Sequence, residues 1–141
     1  MKIGIDARLY GLEHTGIGRY IMELINQLGN RDLKHQFTIF VRPEHAEDIP
    51  KNPHFSTVIT DIRHYSLKEQ FVLPGIIDSQ KLDLIHIPQF NVPFLLKTPF
   101  VVTIHDLLWH DVTGYNVTTL DPLTYSLKYI GYKLWNTHIF G

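Results

Sequence analysis

Short apolar runs recur along this chain, and stretches with apolar residues at three- and four-residue spacing lie between them. That rhythm constrains the fold more than any other feature. Strands that alternate with helices pair in parallel, because each helix carries the chain back across the sheet before the next strand begins. The sequence therefore predicts an α/β fold with a parallel sheet and flanking helices. At 141 residues the chain is sized for one domain, taken as residues 1–141.

The predicted elements follow in order. Residues 2–8 form the first strand. Residues 11–18 form a polar turn containing three glycines. Ile17, Ile21, Leu24, Ile25 and Leu28 mark a helix that Gly29 and Asn30 close. Residues 37–41 and 55–59 are strands, the second at an edge, and residues 43–53 are a loop or short surface helix. Ser66-Leu67-Lys68-Glu69 is a capping-box pattern and starts a helix that runs to about Gln80. Pro74 should break or bend that helix near Leu73, because proline has no N–H to donate and clashes with the preceding turn. Residues 82–87 and 100–107 read as strands buried on both faces. Residues 88–99, with three prolines, form a loop between them. A last helix starts near Asp121 and Pro122.

Composition excludes several classes of function. Hydrophobic residues make up 44% of the chain, which is incompatible with a disordered linker. The net charge of −1, with no basic stripe, gives no electrostatic footprint for nucleic acid. The absence of cysteine excludes a disulfide framework, a Cys-ligated zinc site and a cysteine nucleophile, and it fits a reducing, cytoplasmic setting. No apolar run is long enough for a transmembrane segment, and the N-terminus lacks a signal-peptide core.

Four groups of residues carry candidate chemistry. Gly16-Ile17-Gly18-Arg19 lies where the first helix begins, and the N–H groups of a first helical turn favour a phosphate; a plain strand-to-helix turn is the alternative. It is not a dinucleotide fingerprint, because Ile21 stands at the third glycine position and Arg42, not an acid, follows the second strand. His105-Asp106 follows an apolar strand, at the edge where open α/β sheets collect ligands; the alternative is a histidine held by a carbonyl and an aspartate capping a turn. Among nine histidines, His86, His105 and His110 invite a metal reading, but no ligand spacing completes one, so no metal is expected. In the proline-rich loop Phe90 and Asn91 could line a pocket or simply pack. The aromatic residues Tyr125, Tyr129, Tyr132 and Trp135 read as a packing face.

Taken in order, Ile5-Asp6-Ala7-Arg8, Thr15-Gly16-Ile17-Gly18-Arg19-Tyr20, His86-Ile87-Pro88 and Val101-Val102-Thr103-Ile104-His105-Asp106-Leu107 resemble the amino-terminal domain of family-4 glycosyltransferases. The resemblance spans nearly the whole chain. It implies the Rossmann-like amino-terminal half of a GT-B fold, a nucleotide-sugar donor, and sugar transfer with retention. Gly16, Ile17, Gly18 and Arg19 would face the donor diphosphate, and His105, supported by Asp106, would contact the donor sugar. A glycan or lipid-linked acceptor would lie near His14, Phe90 and Asn91. No cofactor or metal is implied, and contact with a membrane would be peripheral. The family keeps its nucleoside site, its basic diphosphate clamp and a pair of glutamates in a carboxyl-terminal domain. The chain is therefore expected to be a fragment, inactive alone. A non-catalytic sugar-, phosphate- or protein-binding module and an unrelated flavodoxin-like domain remain as alternatives.

Overall fold

The computed structural model describes residues 1–31 and 34–105. Its elements are β1 (Lys2–Asp6), α1 (Thr15–Gly29), β2 (Gln36–Val41), β3 (Phe55–Ile59), α2 (Leu67–Phe71), α3 (Leu73–Ser79), β4 (Leu84–Ile87) and β5 (Phe100–Val102). Short 3-10 segments at Leu12–His14 and Pro43–Asp48 precede α1 and follow β2.

The five strands form one all-parallel sheet in the order β3-β2-β1-β4-β5. This is the Rossmann-like α/β arrangement the sequence predicts. From β1 the chain winds outward through β2 and β3, then returns to the other side of β1 for β4. The carboxyl ends of β1 and β4 therefore flank the point where strand order reverses, the place where open α/β sheets hold their ligand crevice.

Strand alternation decides what faces what. Ile5 pairs in register with Ile39 of β2 and His86 of β4, so these three side chains share one face. On that face Ile5, Ala7 and Ile39 are buried against Ile21 and Ile25 of α1. Burying each isoleucine contributes roughly 1.5–3 kcal/mol. Asp6 and Arg8 alternate to the opposite face, where α2 lies, and both are buried.

Several boundaries differ from the sequence reading. β1 ends at Asp6, because the chain turns at once and the Tyr10 N–H bonds the Ala7 carbonyl. Ile3 is only half-buried, while Ile5 is 1% exposed. Gly16, Ile17 and Gly18 lie inside the first turn of α1, not in a loop ahead of it. β5 is short and ends the described sheet, and Val101 is 47% exposed, so this strand is not covered on both faces. The predicted break is present: α2 stops at Phe71, Val72 departs from helical φ, and α3 restarts with Pro74 in its first turn. The predicted last helix lies outside the described residues. No helix among the described residues is long and apolar enough to cross a membrane.

Candidate functional site

On one face of the crevice an aromatic and imidazole cluster assembles. The register that puts His86 in the Ile5 row points it toward α1, and Tyr20 of α1 meets it edge-on with ring centres 6.4 Å apart. His86 Nε2 lies 2.8 Å from Thr103 Oγ1, just past β5. The Tyr20 ring also contacts His105, at 5.1 Å and near-perpendicular. His105 Nε2 lies 3.0 Å from the Pro88 carbonyl oxygen and must donate to it. The other ring nitrogen of a neutral His105 is then an acceptor. Burial pushes the His86 imidazole below its ordinary pKa; Asp6 opposes this and His105 adds to it. Burial therefore favours the neutral form of His86.

Tyr20 stands two residues after Gly18 on α1, so this contact sets His105 against the early part of that helix. The start of α1 has no side-chain cap and no acidic residue in its first turn. The Thr15 N–H is given to the Leu12 carbonyl, but the helix start keeps the positive end of the helix dipole that attracts an anion. The residue opening the helix, Thr15, has φ of 55°, a strained conformation for a β-branched residue. The two glycines are not equivalent. A Cβ built on Gly16 meets nothing within 4 Å, so its surface is open. A Cβ on Gly18 would collide with the Gly11 carbonyl oxygen and lie 2.9 Å from that of Leu9. Gly18 is required for close packing of the helix start against the preceding chain. Ile17 packs against the α1 core, and Arg19 is exposed.

The opposite face holds a buried ionic network that the sequence reading missed. Arg8, fully buried, donates through Nε and Nη2 to the two oxygens of Asp6 at 2.8 and 2.7 Å. Its Nη2 also reaches Glu69 Oε1 at 2.8 Å, and Nη1 reaches the Ile62 carbonyl at 3.1 Å. Glu69 Oε2 accepts from the Tyr65 N–H and from Asn91 Nδ2, each at 2.6 Å. Burial would raise the Asp6 pKa, but the two-pronged contact with Arg8 holds it below the usual range. Glu69 receives one N–H from the same guanidinium, and there burial wins and its pKa rises. His64, beside this network, is pushed down to about 4 by burial; Asp6 opposes, while Arg8, His14 and Arg42 add to the shift. The signals were present as Asp6-x-Arg8 at a strand end and the glutamate of the capping box.

The remaining sequence candidates are dispersed. His14 sits half-buried at the start of α1, 3.7 Å from Glu13. Phe90 is half-buried in the loop after β4, and Asn91 spends an amide hydrogen on Glu69. Asp106 and His110 lie outside the described residues. Among the described residues no group of three His, Cys, Asp or Glu side chains is arranged to hold a metal.

No curated protein and no solved structure matches the chain. The sequence model of Glycosyltransferase Family 4 matches residues 14–139. That span runs from the residue before α1 through His105 and beyond. The chain belongs to Glycosyltransferase Family 4.

Proposed function

We propose that this chain forms the acceptor-side half of a retaining glycosyltransferase that takes a nucleotide-sugar donor. The observation that supports this most directly is the Tyr20 bridge between the first turn of α1 and His105. Tyr20 lies one helical turn after Gly16, so the contact supports a reading in which a diphosphate at the helix start and its attached sugar at His105 lie close together.

In this reading, backbone N–H groups near Gly16 oppose the charge that grows on the leaving diphosphate. Arg19 adds screening from the helix surface. His105 donates one ring hydrogen to Pro88 and accepts from a sugar hydroxyl with the other nitrogen. It orients the sugar and does not attack it. Charge-assisted hydrogen bonds to phosphate contribute about 1.5–3 kcal/mol each. A donor held only by the N–H groups of this half binds weakly, and the chain alone transfers no sugar. His105→Ala in the complete enzyme tests the assignment. Turnover should fall by about ten- to a hundredfold, the range for losing one well-placed hydrogen bond, with the thermal midpoint unchanged. Unchanged turnover removes His105 from the site.

A further inference from the structure

The loop between β4 and β5 has little backbone order of its own. Its internal backbone hydrogen bonds include Val92 N–H to Phe90 O at 3.1 Å and Leu96 N–H to Pro93 O at 3.2 Å. Side chains of α2 and α3 hold it instead. Glu69 takes the Asn91 amide at 2.6 Å, Gln70 Oε1 takes the Phe94 N–H at 3.1 Å, and Asp78 Oδ1 takes the Thr98 N–H and hydroxyl at 2.9 and 2.7 Å. Of these three anchors, only Glu69 is also tied to the floor of the crevice, through Arg8 and Asp6.

We propose that Glu69 is a positioning residue for the acceptor side: it fixes the 88–96 loop to the buried end of β1, so the loop and the crevice keep one spacing. The acceptor assignment rests on the glycosyltransferase reading; the strap itself does not. The physical case is the cost of burying a carboxylate. Glu69 is fully buried, and leaving a buried charge poorly paired is expensive, so the three contacts to its carboxylate must all be in place together. Separately, the backbone N–H of Glu69 bonds the Ser66 hydroxyl, which sets the side chain's starting point. A loop tied to such a group cannot shift without exposing or unpairing it. A neutral surface tether would allow that drift.

Two measurements test this. In the first, hydrogen exchange is followed by mass spectrometry on the 141-residue chain and on Asn91→Ala, Asn91→Gln and Glu69→Gln. Asn91→Ala should speed exchange across residues 88–96 by about tenfold or more, the factor for losing one hydrogen bond to a charged group. Amides of β1 should keep their protection, and Asn91→Gln, which retains the donor, should recover part of the loss. Glu69→Gln should loosen the same loop and the residues around Tyr65. Unchanged exchange in 88–96 for Asn91→Ala overturns the strap. In the second, the complete enzyme is assayed with UDP-glucose and GDP-mannose as donors and octyl glycosides as acceptors. The acceptor KM of Asn91→Ala should rise more than its kcat falls. A loosened loop with an unmoved acceptor KM overturns the positioning role and leaves the family reading standing. A wild-type enzyme that transfers to none of these acceptors overturns the acceptor assignment, while the exchange result still decides the strap.

Discussion

The Cα of Gly18 lies directly against the Gly11 carbonyl oxygen, with no room for a methyl group between them. Gly16, one helical position pair earlier, faces open space. Two glycines of one short motif thus do different things, and their substitutions should separate.

Gly18→Ala forces a carbon into two backbone carbonyls that cannot swing aside as a side chain can. It should cost about 3 kcal/mol or more in urea denaturation. Gly16→Ala gains helix propensity and meets nothing, so stability should change by less than about 1 kcal/mol. Gly16→Val in the complete enzyme should raise the KM for the donor. Equal destabilisation by the two alanine substitutions would contradict the separation.

Arg8→Met should destabilise the chain by about 3–5 kcal/mol, because it leaves Asp6 and Glu69 buried without their shared cation. The pH dependence contributed by Asp6 should also invert, while Glu69, already raised by burial, keeps its sign. In the native chain Asp6 has a lowered pKa, so its contribution is present above the unfolded value and lost as pH falls through the folded one. Without Arg8 both carboxyls are pushed upward by burial. The variant should then be most stable in acid and lose stability as pH rises. Thermal midpoints measured from about pH 2 to 8 reach below the ordinary aspartate range, where the native Asp6 contribution is lost, and give the sign directly.

His64 titrates near 4 in the fold against an unfolded value near 6.5. The unfolded chain therefore binds more protons between these values. The stability from a neutral His64 is complete above pH 6.5 and is lost as pH falls toward 4, by up to roughly 3 kcal/mol. His64→Gln should flatten this part of the stability profile. A profile that keeps its slope in His64→Gln would assign it to other groups, with His86 the next candidate.

Calorimetric titration of the 141-residue chain with UDP-glucose and GDP-mannose should show no micromolar binding. In the proposed reading the basic diphosphate clamp is not part of these residues; each charge-assisted bond to phosphate is worth about 1.5–3 kcal/mol, so two of them account for a hundredfold or more. Micromolar affinity would place the main donor contacts on this half.

What the sequence disclosed depends on how local the cause is. β3 is legible to the residue, because its β-branched run Thr57-Val58-Ile59 and the proline-bearing loop before it are local signals. The break at Val72 was legible because a missing N–H acts within one turn. The start of α1 was misplaced, since a glycine-rich segment reads as a turn until the packing of Gly18 on Gly11 is seen. The burial of β5 was overstated, because an apolar triplet does not reveal whether a neighbour covers it. At the site, the meeting of Tyr20 with His86 and His105 joins residues far apart in sequence, and only the strand register brings them together. The Arg8–Glu69 pair was hidden for the same reason. Each partner has an ordinary local explanation, as a strand-end charge and a helix-cap acid.

The parallel sheet gives the molecule two ends with separate roles. Among the described residues, the candidate groups Gly16, His86, Asn91 and His105 sit toward the carboxyl ends of the strands. The turn before β3, held by the Asn52 amide on the Gly29 carbonyl at 3.0 Å, lies at the other end, and Lys51 within it is exposed. The chain has no cysteine, so a cysteine introduced at Lys51 would be its sole thiol. Tethered there to a sensor surface, every molecule would present the crevice outward, and a weak sugar-nucleotide contact could be read from a layer of uniformly oriented protein.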